Sequence, residues 1–261
     1  MDELRFQYHS GKWSMVNIEH LIVEVSVSLT VNGEVWLTFS CSPFDLEALG
    51  VGFLFDEGII QSSQEIASTR VCADLTNIDI WLYHAAEKPE KWLRTSGCTG
   101  GVTNPEPAHY IKPLTLFDQF DPLLLLENMD QLYKVEGVYQ QTRGLHCSAF
   151  SDGAKICLYA ADIGRHNTLD KLAGMILLEQ VDINRRLILS TGRISSEMLQ
   201  KSARMGAQVV MSRTSPTTLA IQMAEALNVT LIGYARHERF IVYTHPQRIR
   251  GFVASKGLLA Y

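Results

Sequence analysis

A chain of 261 residues, 46% hydrophobic and 20% charged, carries enough apolar material to bury a core without disulfides or metals, as one large domain or two small ones. Its formal net charge of −5 argues against nucleic acid or an anionic membrane as partner of its general surface. No apolar run approaches the ~20 residues of a membrane helix, and no charged-then-apolar leader opens the sequence. The five cysteines, Cys41, Cys72, Cys98, Cys147 and Cys157, are odd in number and irregularly spaced; they read as reduced thiols of a cytoplasmic protein. No two stand at C-x-x-C spacing, which argues against structural zinc.

In chain order, LIVEVSVSL alternates Val23, Val25, Val27 and Leu29 against polar residues, the pattern of a half-buried strand. Asn32-Gly33 turns the chain into Val35-Trp36-Leu37-Thr38-Phe39, a hairpin. A helix is predicted in SPFDLEALGVGFLFDEG, with Ser42 as N-cap, Pro43 at the first helical position and Gly58 past the end. NIDIWLY gives a strand near residue 80. From Thr99 to Pro122 periodicity is lost and Pro105, Pro107, Pro113 and Pro122 interrupt the stretch, a long loop of the kind that serves function or is disordered. A further helix is expected around Glu127 to Gln141.

Beyond it strand and helix alternate: AKICLYAADIG then RHNTLDKLAGMILLEQ, whose Leu169, Leu172, Ala173, Ile176 and Leu177 share a face; RRLILS then SSEMLQKSARMG; AQVVMS then PTTLAIQMAEALN; and VTLIGYA, with FIVYTH as a last strand that could run antiparallel. This spacing predicts an α/β domain with a mostly parallel sheet and flanking helices. A smaller mixed α+β N-terminal part precedes it. The composition shifts near residue 120, giving expected divisions of 1–120, 121–250 and a 251–261 tail.

In such sheets ligands gather outside the carboxyl ends of the strands. The four strand ends read Asp162-Ile163-Gly164-Arg165-His166-Asn167, Ser190-Thr191-Gly192-Arg193-Ile194-Ser195-Ser196, Ser212-Arg213-Thr214-Ser215-Pro216-Thr217-Thr218 and Tyr234-Ala235-Arg236-His237-Glu238-Arg239. Each carries an arginine, and three lead into helix N-termini rich in hydroxyls or amides. Any one junction is explained by helix capping and a solvated arginine. Four on one edge of an acidic protein favour a phosphorylated ligand such as a nucleotide. Neither a Walker loop nor a dinucleotide fingerprint is present, and the H-x-E and P-C-x-x-C of zinc deaminases are absent. Asp162 with His166 is the one candidate acid/base pair beside the arginines.

Cys98 lies in RTSGCTGGVTN, among Gly97, Gly100 and Gly101. Two readings stand: an accessible thiol on a loop that can swing, or a glycine turn with an incidental cysteine. Cys41 and Cys157 fall in or beside apolar strands and read as inert. Cys72 has no informative context, and His146-Cys147 would point to opposite faces of a strand.

Across residues ~20–250, EALGVGFLFDEGII, DIGRHNTLDK, STGRISSEMLQK, SRTSPTTLA and LIGYARHERFIVYTHPQRI together make the sequence resemble the FdhD-type formate dehydrogenase accessory proteins, which are sulfurtransferases. The resemblance implies a cytidine-deaminase-like α/β fold without the metal. It implies sulfur taken as a persulfide from a cysteine desulfurase. That sulfur passes to the Mo-bis-molybdopterin guanine dinucleotide cofactor of formate dehydrogenase or a related molybdenum or tungsten enzyme. Cys98 matches the first cysteine of the family's C-x-x-C, but Gly101 stands at the second. Ala161 stands where many members have Glu. The cofactor would lie against Arg165, His166, Asn167, Gly192, Arg193, Ser195, Arg213, Ser215, Tyr234, Ala235, Arg236, His237, Glu238 and Arg239. A lone thiol can accept sulfur but cannot release it by closing an internal disulfide. The alternatives are a chaperone that delivers the cofactor without carrying sulfur, and an unrelated phospho-ligand enzyme. A homodimer is expected.

Overall fold

The structure, a computed structural model, describes residues 5–16, 21–89, 93–94, 102–103, 111–115, 118–134 and 144–253. Cys98 and Gly101 lie outside the described residues. The chain opens with a hairpin that the sequence reading left unassigned, β1 (Arg5–His9) with β2 (Lys12–Val16). The hairpin expected at Asn32-Gly33 forms between β3 (Val25–Val31) and β4 (Glu34–Cys41). Both turn residues take positive φ, 50° and 83°, as a tight two-residue turn requires. Val27, Leu29 and Val31 point inward, whereas Val23 precedes the strand and is exposed.

Helix α1 spans Leu46–Asp56 and starts later than expected. Ser42 is not its cap and Pro43 is not its first residue, because the helix begins at Leu46 and Ser42 Oγ makes no hydrogen bond among the described residues; the Ser42 backbone N–H instead donates to Asp162 Oδ2 at 3.0 Å. Asp45 takes the cap position instead, at φ 54°. Strands β5 (Ile66–Val71) and β6 (Asn77–Leu82) complete a four-stranded sheet in the order β4-β3-β6-β5. Two short strands, β7 (Leu93–Arg94) and β8 (Val102–Thr103), pair with each other. Helix α2 spans Pro122–Lys134, beginning five residues before the expected Glu127. Proline at a first helical position costs no hydrogen bond, and Asp121 Oδ1 accepts from Leu123 N at 2.9 Å.

The larger sheet holds β9 (His146–Ser151), β10 (Ile156–Asp162), β11 (Leu187–Ser190), β12 (Val209–Ser212), β13 (Thr230–Arg236) and β14 (Arg239–Val242), in the order β10-β9-β11-β12-β13-β14. Here the expectation of a mostly parallel sheet is corrected: only β11–β12 and β12–β13 pair in parallel, and the sheet is mixed. A short turn joins β9 to β10 as a hairpin, and β9 then inserts between β10 and β11, antiparallel to both. Consequently β10, β11, β12 and β13 still run one way, and their carboxyl ends share one edge.

Helices α3 (Arg165–Leu178), α4 (Ser196–Arg204) and α5 (Thr218–Ala226) follow β10, β11 and β12. They bury Leu169, Leu172, Met198, Leu199 and Ala220 against Ile188, Val210 and Leu231 of the sheet. The alternate strand residues Leu187, Leu189, Val209 and Met211 face α2 through Leu125, Met129 and Leu132, as the two-residue side-chain period of a strand demands. Helix α1 is apolar on all sides because it lies between the small sheet and α3. The α1–α3 crossing needs glycine on both helices. A Cβ at Gly52 would lie 1.7 Å from the Asp170 carbonyl oxygen, and one at Gly174 would lie 1.9 Å from that of Ala48.

Candidate functional site

The edge where β10 to β13 end is supported by hydroxyls. Ser148 Oγ bonds Thr168 Oγ1 at 2.7 Å and donates to Ser190 Oγ at 3.3 Å. Ser190 Oγ accepts from Gly192 N at 3.2 Å, and Ser212 Oγ donates to the Gly192 carbonyl at 2.6 Å. Arg213 N donates to Ser190 O, Thr217 N to Ile194 O and Tyr234 N to Thr214 O. The three loops are thus fastened to one another before any ligand arrives. Ser195 and Thr217 are true N-caps, accepting from Met198 N and Ala220 N. Ser215 is half-buried in the loop between them.

The arginines take different postures on this edge. Arg193, Arg236 and Arg239 are exposed, and Arg236 Nε donates to the Arg213 carbonyl at 3.1 Å. The Arg213 guanidinium lies 3.7 Å from the centre of the Tyr133 ring on α2. Arg165 is half-buried, and its Nε is enclosed with no hydrogen-bond acceptor among the described residues. Among the described residues none of these five arginines forms an ion pair. Tyr234 sits at φ 52° where β13 slips register, and its side chain is 42% exposed while Ala235 beside it is buried. Positive φ is costly for a bulky residue and concentrates at sites that use it. Tyr234 and Arg239 line a cavity of about 320 Å³ with Phe240 and Ile241. His237 and Glu238 form the exposed turn between β13 and β14.

One residue at this edge escaped the sequence reading. His146 begins β9, and because β9 runs opposite to its neighbours, its amino end meets their carboxyl ends. A Cβ on Gly192 would meet His146 Nδ1 and Arg165 Cβ, each at 3.3 Å, so the three residues are neighbours. Burial, with Arg165 and His166 nearby, holds the His146 imidazole below its usual pKa. No sequence signal short of the strand order could have placed it here.

Other expected ligand groups turn inward. Asn167 is 6% exposed, and its amide donates to Asp162 Oδ1 at 2.8 Å and to the Ser40 carbonyl at 3.0 Å. His166 is 3% exposed, with Nε2 3.1 Å from Glu197 Oε2 but poorly aligned for a hydrogen bond. Asp162 is fully buried: Oδ2 pairs with Lys171 Nζ at 2.7 Å, and Oδ1 also accepts from Gly164 N. The candidate acid/base pair of Asp162 and His166 is therefore corrected, since Asp162 has no face toward a ligand.

A second buried ionic group lies deeper, where α1, α3 and α4 meet. Lys201 pairs with Asp170, and Asp56 and Glu57 are buried beside them. Burial pushes the Asp56 carboxyl well above its usual pKa, with Lys201 opposing and Asp170 adding. Both Asp56 oxygens lack a donor, which a proton held on Asp56 and directed at Asp170 resolves. Burial alone would lower Lys201, but Asp170, Asp56 and Glu57 hold it raised.

Two of the described thiols, Cys41 and Cys147, are poor nucleophiles. Burial, then Asp162, pushes Cys41 up to about 12. Burial pushes Cys147 to about 11, with the Tyr159 hydroxyl at 3.1 Å opposing. Cys72 and Cys157 are half-buried, so Cys157 is less shielded than its strand pattern suggested. Among the described residues no three His, Cys, Asp or Glu side chains group as metal ligands, and no helix is long and apolar enough to cross a membrane.

Comparison with known proteins decides the kinship. Residues 22–250 match the model of the FdhD/NarQ family. The chain belongs to the FdhD/NarQ family. Among its FdhD relatives, the "Sulfur carrier protein FdhD" of Bacillus subtilis (strain 168) is 37% identical over 251 residues, covering 94% of this chain and 95% of that protein. The protein of the same name from Staphylococcus aureus (strain JH9) is 33% identical over 249 residues, covering 93% and 94%. A crystal structure of a provisionally named formate dehydrogenase accessory protein from Desulfotalea psychrophila superposes with a TM-score of 0.79 at 28% identity, covering 95% of this chain and 97% of that one.

Proposed function

We propose that this chain is a sulfur carrier for the maturation of formate dehydrogenase or a related molybdenum or tungsten enzyme. It binds the client Mo-bis-molybdopterin guanine dinucleotide cofactor along the arginine edge. The observation that carries the reading is five arginines on one edge, none paired with a carboxylate among the described residues. Guanidinium forks and helix N-termini suit pyrophosphate. The enclosed Arg165 Nε, still lacking an acceptor among the described residues, and the cavity at Tyr234 and Arg239 fit a ligand with both phosphates and a flat ring. The names of the relatives support the sulfur-carrying half, and the four co-directional strands with helical crossovers suit a deaminase-like ancestry.

Cys98 is the proposed carrier. The described cysteines support this by contrast, because burial suppresses the thiolate at Cys41 and Cys147, and only the thiolate attacks sulfur. The Cys98 thiolate attacks the outer sulfur of a desulfurase persulfide, the desulfurase thiolate leaves, and Cys98 holds the sulfur as a persulfide. With Gly101 at the second motif position, reductive release takes its two electrons from two external thiols: the first expels sulfide and leaves a mixed disulfide on Cys98, and the second frees Cys98 as the external disulfide forms. His146, neutral near pH 7, lies at the edge where a proton acceptor is useful.

Incubation with a cysteine desulfurase and cysteine should add one sulfur mass to the peptide holding Cys98, and Cys98→Ala should abolish it. If Cys98→Ala still activates the client enzyme fully, the chain is a cofactor chaperone without a sulfur-carrying step, the reading that the missing second cysteine favours.

A further inference from the structure

A cavity of about 460 Å³ lies at the carboxyl ends of α1, α3 and α4, whereas α3 and α4 begin at the arginine edge. Its walls include Phe55, Ile176, Leu177 and Met205, and two guanidinium groups, Arg186 and Arg204, face it. The volume falls in the ~300–1,000 Å³ range of small-molecule sites. Arg186 is already spoken for: Nε and Nη1 donate to the carbonyls of Ile183 and Met205, each at 2.9 Å, and Asp182 stands 3.9 Å from Nη2. One carbonyl at the end of α4, that of Met205, is thereby answered from within the protein.

Arg204 is different. Its guanidinium lies over the Phe55 ring, 5.4 Å from the centroid, and it forms no ion pair among the described residues. Its Nε is buried without an acceptor among the described residues. Burial holds the Arg204 guanidinium below its usual pKa, and the nearby Glu57 carboxylate opposes this. A guanidinium resting against an aromatic ring keeps its N–H fork available to a carboxylate or phosphate.

We propose that this cavity binds a small amphipathic anion, its carboxylate or phosphate head on Arg204 and its apolar body along Phe55, Ile176, Leu177 and Met205. The site is separate from the arginine edge and does not depend on the sulfur-carrier reading. An anion there supplies the acceptor that a desolvated arginine lacks.

Calorimetry and ligand-observed NMR with 4-phenylbutyrate and phenyl phosphate test it, with 4-phenylbutyramide as the neutral counterpart. At least one anion should bind saturably and more tightly than the amide, and the stronger of the two identifies the head group. Arg204→Gln should weaken binding by ~10-fold or more. Ser63→Trp, which places bulk at another residue lining the cavity, should also weaken it in a protein whose thermal unfolding is unchanged. Guanosine diphosphate should not displace the probe. The proposal is overturned if neither anion binds, if the amide binds equally well, if both variants bind like the parent, or if guanosine diphosphate competes.

Discussion

The segment from Asp162 to Lys171 feeds two regions that treat charge in opposite ways. At its buried end, Lys171 and Asp162 pair with no solvent exposure, and Asp170 continues inward to Lys201. At its open end, Arg165 joins Arg193, Arg213, Arg236 and Arg239 on an edge where none has an acidic partner among the described residues. The difference separates scaffold from site. A buried cation is tolerated only with its carboxylate beside it, so the junction is complete in itself. The edge arginines hold charge without an answering carboxylate among the described residues, the setting that the proposed phosphorylated ligand would complete.

The comparison breaks most visibly at the junction. Lys171→Met leaves Asp162 buried and unpaired, which should cost about 3–5 kcal/mol, read as a lowered midpoint in urea. Gly174→Ala drives a Cβ into the Ala48 carbonyl; helix separation should cost about 1–3 kcal/mol or more, on the same assay. A subtler variant sharpens the picture. Folded Asp56 keeps its proton to higher pH than the unfolded chain does. Its contribution is therefore fullest at and below the ordinary carboxylate range, ~4, and stability is lost as pH rises toward the raised value. Asp56→Asn removes that dependence, so its urea midpoint should gain on the parent from acid toward neutral pH. A gap that narrows over that range would place the proton elsewhere.

Much of this was legible in the sequence, unevenly. The β3–β4 turn, the strand–helix alternation after residue 145 and the shared edge of four strand ends follow from local pattern, which short-range geometry enforces. The position of β9 does not. Its insertion between β10 and β11 is a matter of sheet order, and it alone brings His146 to the edge. Nor could pattern tell that Asn167 faces Asp162 and Ser40, 127 residues away, while Arg165 two positions earlier faces outward. Ser42 looked like a helix cap by composition, yet the helix starts at Leu46, and the Ser42 backbone is tied to a carboxylate 120 residues away. Charged residues read alike in one dimension, and only packing divides them into buried pairs and open arginines.

The most direct test of that division is a calorimetric titration with guanosine diphosphate. The parent should bind, more weakly as salt rises. Arg193→Ala and Arg239→Ala should each lose about 1.5–3 kcal/mol of binding while unfolding at the parent's urea midpoint, because both side chains are exposed. Unchanged affinity in both variants, or binding that ignores salt, would contradict the account and remove the phosphate site from this edge.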